Sequence, residues 1–241
     1  MPKFSAWTDV ENIFDNLNNL TLILQLEQDF LKLISEAAPE STEESLNYKV
    51  LFGTRWPALA KKILVHSKKS KAADVKKFFE DHKNLITAGT HDDLIALLLL
   101  PLIIKASKKV KEDAVSRPLT KPEISKCFIL QIQNCERLIE DTTEFEAWVT
   151  KFGQETYPYV IFLGDLKNVQ VQLIINKQRY SFDDPLKAVE SCYKSLTAFH
   201  AFPFLCDFVW SFIDKAVYEL NLRKTSAFVT KLLTDLNKIE I

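Results

Sequence analysis

Apolar positions recur at helical spacing along most of the chain. Between Val10 and Ala38 the residues Ile13, Leu17, Leu20 and Leu24, then Leu26, Phe30, Leu33 and Ile34, return every three or four positions, which predicts helix. The polar stretch Ala38–Ser45 follows. Within it Ser41 and Glu44 have capping-box spacing for a short helix through Phe52, which Gly53 is expected to end. Pro57 suits a first helical position, so "TRWPALAKKILVHSKK" predicts a restart there. "SKAADVKKFFEDHKNLI" predicts one further helix with Val75, Phe78, Phe79 and Leu85 inward. After the loop Thr87–Asp93, Thr90 and Asp93 have capping spacing for the most apolar run, Leu94–Ile104. That helix is expected to pass Pro101 with a kink, because proline removes a backbone donor, and to reach about Lys111. "SRPLTKPEI" reads as a loop holding a capping box, Thr120 with Glu123. Helices are expected over Pro122–Glu140 and Thr143–Lys151, the second capped by Thr143 with Glu146 and ended by Gly153.

The period changes once. In Tyr157–Phe182, Val169, Val171, Leu173 and Ile175 alternate with Gln170, Gln172 and Ile174, which is strand spacing. Asn176-Lys177 stands where a two-residue hairpin turn belongs, Tyr180 and Phe182 continue on the return strand, and "YPYVIFLG" supplies a third strand closed by Gly164. Three strands are about the minimum for a stable small sheet, and its apolar face needs a helix. Asp183-Asp184-Pro185 then starts a helix to Phe199. Pro203 starts another, with Phe204, Phe208, Phe212 and Ala216 on one face, widened by Leu205, Val209, Ile213 and Val217. The last helix turns Phe228, Leu232, Leu233 and Leu236 inward. The expected architecture is α+β and predominantly helical. A small antiparallel sheet at about residues 157–182 packs against the C-terminal helices. A helical region, 1–152, and a sheet-plus-three-helix region, 153–241, are expected to pack as one unit.

Composition narrows the classes. Of 241 residues, 47% are hydrophobic and 26% charged, which allows a sizeable core. Lys+Arg total 31 against 32 Asp+Glu, so no global charge draws the chain to nucleic acid or an anionic membrane. The four cysteines include no CxxC pair and too few residues for a disulfide scaffold. The first residues lack a signal-peptide pattern. Leu94–Ile104 falls well short of the roughly 20 apolar residues that cross a membrane, so no membrane span is expected. These features predict an intracellular protein, cytoplasmic or nuclear.

Catalytic signals are missing. Only Gly53, Gly89, Gly153 and Gly164 are present, all far apart, which excludes glycine-rich phosphate-cradling loops. Nucleophile-elbow, zinc-protease and kinase signatures are absent. His66, His82, His91 and His200 are scattered. Cys127 and Cys135, eight apart, read as sharing a helix face, and with Cys192 and His200 they form one candidate site. Small cysteines in a core explain them more simply. Asp92-Asp93 and Asp183-Asp184 suit helix capping better than paired acid–base work. No catalytic residue, cofactor or metal site is predicted, and the chain reads as a non-enzyme. The one charge anomaly is basic: residues 61 to 83 hold eight lysines against three acids. Lys61, Lys62, Lys68, Lys69, Lys71, Lys108 and Lys109 are the candidate nucleic-acid contacts within the lysine-rich segment 61–111. Few arginines and no interleaved aromatics accompany them, so a solvated helix face is the plainer reading.

The order Arg55-Trp56-Pro57-Ala58-Leu59, Pro158, Gly164, the strand Val171–Ile175, Ala188, Tyr193-Lys194, Phe212 and Tyr218 carries a resemblance. Roughly residues 55–235 resemble the region downstream of the SAM domain in metazoan sterile alpha motif domain-containing protein 3-like proteins, including multicopy fish and insect relatives. The chain departs from them in having no SAM domain ahead of Arg55, and Met1–Phe52 has no counterpart. The resemblance implies a non-enzymatic intracellular protein of a mobile-element-associated family and transfers no site residue. Three functions follow as expectations. The first is a protein-interaction or scaffold module with an unidentified protein partner. The second is nucleic-acid binding through the lysines, and the third is an enzyme with a dispersed site. The open edge of the predicted sheet suits the first, because it can accept a partner strand.

Overall fold

A computed structural model describes residues 21, 24–35, 51–89, 91–105, 108–112, 115–220 and 223–241. The first described helix, α1 (24–35), buries Leu26, Phe30 and Ile34 at four-residue spacing. The remainder of the Val10–Ala38 helix, the Ala38–Ser45 connection and the Ser41–Glu44 box lie outside the described residues. Helix α2 (Leu51–Lys68) runs unbroken through Gly53 and Pro57, where a stop and a restart were expected. Pro57 withholds the N–H that would bond the Gly53 carbonyl, and Gly53 is exposed, so water can reach the freed oxygen. Phe52, Trp56, Ala60 and Ile63 face the core, and the Trp56 indole donates to the Asp93 carbonyl at 3.1 Å.

The single helix expected over the next segment is two, α3 (Ala73–Asp81) and α4 (Lys83–Ala88), broken at His82. Gly89 then reverses the chain at φ 65°, a left-handed conformation that glycine adopts without strain. Helix α5 (Asp92–Ile103) is buried from Leu94 through Pro101. Thr90 lies outside the described residues; His91 stands at the N-cap, and Asp92 and Asp93 occupy the first turn instead of capping it. The helix stops at Ile103, well before Lys111, and the Lys121 ammonium donates to the carbonyls of Pro101 and Ile104 at its end. The chain then forms a hairpin, β1 (Lys109–Glu112) and β2 (Val115–Pro118), where helix and loop were expected.

Helix α6 (Lys121–Phe128) starts on the predicted capping box, with both the Thr120 and the Glu123 bonds made. It ends twelve residues short of Glu140, because Ile129–Ile132 form strand β3. Ile129, Leu130 and Ile132 are all buried, and periodicity alone does not separate such a short apolar run from buried helix. A short turn, Cys135–Arg137, leads to α7 (Leu138–Lys151). That helix starts before Thr143, so Thr143 is not its cap: its hydroxyl donates to the Ile139 carbonyl inside the helix.

The predicted strands appear as β4 (Tyr159–Leu163), β5 (Gln170–Ile175) and β6 (Gln178–Phe182). Asn176 and Lys177, at φ 49° and 68°, make the two-residue turn with both central residues left-handed. The sheet order is β3-β4-β5-β6, antiparallel except that β3 joins β4 in parallel through the α7 crossover. One strand of the sheet therefore comes from before residue 153.

Helix α8 (Pro185–Ala198), capped by the Asp184 carboxylate as predicted, packs on β4, β5 and β6. Helix α9 (Asp207–Ile213) begins four residues after Pro203 and continues into a π-helical turn, Asp214–Tyr218. Phe208 and Phe212 are buried, whereas Phe204 is exposed. In α10 (Ala227–Asn237) Leu232 and Leu236 face inward and Phe228 faces out. One contiguous apolar core joins residues from α1 to α10. No helix among the described residues is long and apolar enough to cross a membrane.

Candidate functional site

The outer side of β3 faces a groove of about 400 Å³ between α6 and α7. Ser125 and Lys126 of α6, Leu130 and Gln131 of β3, and Asp141 and Glu144 of α7 line it. Beyond its ladder to β4, the backbone bonds of β3 lie at its ends: Ile129 N–H donates to the Ser125 carbonyl, and the Ile132 carbonyl accepts from Gly164. Among the described residues nothing pairs with the strand between, which is an open edge.

The walls of the groove are fixed by charge. Arg117 forks onto Glu123 at 3.0 and 2.7 Å and also holds Glu112 at 2.6 Å. Lys151 meets Glu112 at 2.8 Å, so the β1–β2 hairpin is tied to α6 and α7 together. The Arg117 guanidinium, with the Thr120 backbone and hydroxyl bonds, holds the Glu123 carboxyl down at about 2. Lys126 points at the α7 aromatics, its ammonium 5.6 Å from the Phe145 ring and 5.7 Å from Trp148. Asp141 is paired with Arg137. Glu144 makes no ion pair among the described residues. The Ser125 hydroxyl is buried and has no hydrogen-bond partner among the described residues. The groove thus offers an apolar floor, an open strand edge, the Gln131 amide and the Glu144 carboxylate, which lies in the field of Arg137.

The lysines singled out from the sequence separate into two groups. Lys61, Lys62 and Lys68 lie on α2, Lys69 one residue beyond it, and Lys71 in the following turn. Lys109 begins β1, and Lys108 is engaged by the Asp207 carboxylate at 2.8 Å.

The cysteine reading is corrected. Cys127 is buried at the end of α6, whereas Cys135 is exposed beyond β3, so the two share no helix face. His200 is exposed after α8. The structure instead gathers Cys127, Cys192 and Cys206 beside Tyr157. Both the Tyr157 hydroxyl and the Cys206 thiol donate to the Cys127 carbonyl at 3.3 Å, and the Cys192 thiol donates to that of Pro158 at 3.4 Å. Burial pushes the Cys127 thiol up to about 12 and the other two well above their ordinary value. These are protonated, unreactive thiols. Among the described residues no group of three or more His, Cys, Asp or Glu is placed to hold a metal ion.

Sequence reasoning missed a buried polar network behind the sheet. The Tyr193 hydroxyl donates to Asp214 Oδ1 at 2.6 Å, and both residues are fully buried. Lys194 meets Glu190 at 3.0 Å and Glu27 at 3.6 Å, and Tyr218 donates to Glu190 at 3.5 Å. The rings of Tyr193 and Tyr218 stack at 4.5 Å. Burial raises the carboxyls of Asp214 and Glu190. The π turn puts Asp214 and Tyr218 on the inner side together. Arg55 holds that turn from α2, donating to the Val217 carbonyl at 2.7 Å and pairing with Glu219 at 3.1 Å. One signal was legible: Asp214 stands four residues after Trp210, on the inner stripe of an apolar helix. Among the described residues its neighbours are tyrosine and basic side chains, and the network ties α8 to the π turn and to α1. Comparison with protein-family models, curated proteins and solved structures gives no match.

Proposed function

We propose that this chain is a non-enzymatic, intracellular protein-interaction module that takes an extended segment of a partner protein onto the outer edge of β3. The observation that supports it is the open β3 edge beside the α6–α7 groove. A partner strand gains affinity from main-chain hydrogen bonds and specificity from side-chain pockets. Here Glu144 favours a Lys or Arg on the partner, and Gln131 supplies a neutral polar contact. The buried, protonated cysteines and the exposed free Cys135 suit a reducing compartment.

Selection of a random peptide library on the purified protein tests this reading. Enriched peptides should be extended and carry a basic residue. Glu144→Lys should weaken them by about tenfold or more, the worth of one charge-assisted hydrogen bond. Gln131→Pro, which removes a backbone donor from β3, should weaken them as well. Enrichment of no peptide, or of peptides indifferent to both changes, overturns it.

A further inference from the structure

The exposed face of α2 is a second surface, independent of the β3 groove. Lys61, Lys62, Lys68 and Lys69 stand at i, i+1, i+7 and i+8. At about 100° per residue these positions fall within roughly 120° of arc. Thr54, Ala58 and Val65, all exposed, fill the middle of the same sector. Helix α2 contains no acidic residue. None of the four lysines makes an ion pair among the described residues, although Asp93, Asp235 and Glu240 lie nearby. Asp235 is paired with Lys238 instead. Of the candidate lysines off this face, Lys108 is already occupied by Asp207.

We infer that this face binds the phosphate backbone of a nucleic acid. The two lysine pairs are about 10.5 Å apart along the helix at 1.5 Å per residue. That distance matches about three base-pair rises of a duplex, at 3.4 Å each along its axis. A membrane surface is the other large polyanion, but helices that lie on membranes combine cations with Trp, Phe or Leu. Among the described residues, the exposed apolar residues at this face are Ala58 and Val65, with Ile241 beside Lys61 and Lys62, and no exposed Trp, Phe or Leu stands among them. With no arginine fork and no aromatic platform on the face, contact is to phosphate and carries no base preference.

Fluorescence anisotropy with a labelled DNA duplex of about 20 base pairs, a labelled single strand of the same length and anionic phospholipid vesicles separates the possibilities, read from about 25 to 200 mM salt. The expected result is duplex binding whose logarithmic salt slope is roughly −2 to −4, near 0.9 per phosphate contacted, with weaker or equal binding of the single strand. The variant Lys61→Gln/Lys62→Gln/Lys68→Gln/Lys69→Gln should lose at least about tenfold in affinity and flatten the slope, with its melting temperature unchanged. The charge-matched control Lys167→Gln/Lys177→Gln/Lys187→Gln/Lys224→Gln should keep both. Absence of nucleic-acid binding at the lowest salt, equal losses in the two variants, or binding to vesicles alone overturns the inference. None of these lysines lines the β3 groove, so this result and the peptide result are independent.

Discussion

β3 and β6 close the four-stranded sheet at opposite edges and treat their free backbone differently. On β6, Gln178, Arg179 and Ser181 are exposed, and a tight turn ties the strand to β5. Exposed polar and charged side chains of this kind keep an edge from pairing with another chain. β3 has four residues, three of them buried, and its only exposed side chain is the neutral amide of Gln131. Its defence is shortness alone. Where β6 faces solvent, β3 faces a groove whose walls are locked by the Arg117 and Lys151 pairs. The difference teaches which edge is built to be used: a guarded edge needs no pre-shaped surroundings, whereas a receiving edge does.

The largest effect should come from β3 itself. Ile132→Ala removes a buried side chain between the sheet and its flanking helices and should cost about 2–5 kcal/mol in urea unfolding. Arg179→Ala on β6, an exposed side chain, should stay within about 0.5 kcal/mol. Equal costs would show that the two edges are anchored alike. Next in size is the support behind β4, β5 and β6. Tyr193→Phe strips the donor from Asp214 in a fully buried site and should cost about 1–3 kcal/mol by the same measurement. A neutral result would mean that the network does not hold α8 to the π turn.

The smallest effect concerns pH. The Glu123 carboxyl lies near 2 when folded, against an ordinary value of 4.5. A depressed carboxyl stabilises the fold fully above the ordinary value and loses that contribution as pH falls through 4.5 toward 2. Glu123→Gln should therefore shrink the loss of stability between those two values, and should loosen α6 beside the groove. An acid-unfolding profile identical to that of the parent chain would remove Glu123 as an anchor.

Local chemistry made much of this fold legible. The hairpin turn at Asn176-Lys177, the Asp184 cap and the Thr120–Glu123 box each rest on side chains acting on backbone a few residues away, and all three are present. The elements that failed depend on distant partners. Ile129–Ile132 become strand only because β4 lies alongside, thirty-one residues later in register. Helix α5 stops at Ile103 where Lys121, far along the chain, takes up its final carbonyls. Gly53 and Pro57 read as boundaries, but packing of Phe52 and Trp56 on either side carries α2 through both. The groove was invisible for the same reason, since its wall α7 and floor β3 were both expected within helices. That Lys61, Lys62 and Lys68 lie along one helix was legible, because their helical segment needs no distant partner to define it.

Hydrogen exchange of the purified protein with and without a selected peptide tests whether β3 is the receiving edge. The bound peptide should slow exchange at the amides of residues 129–132 and leave those of 178–182 unchanged. Slowing confined to 178–182, or to helices away from the β3 groove, would contradict it.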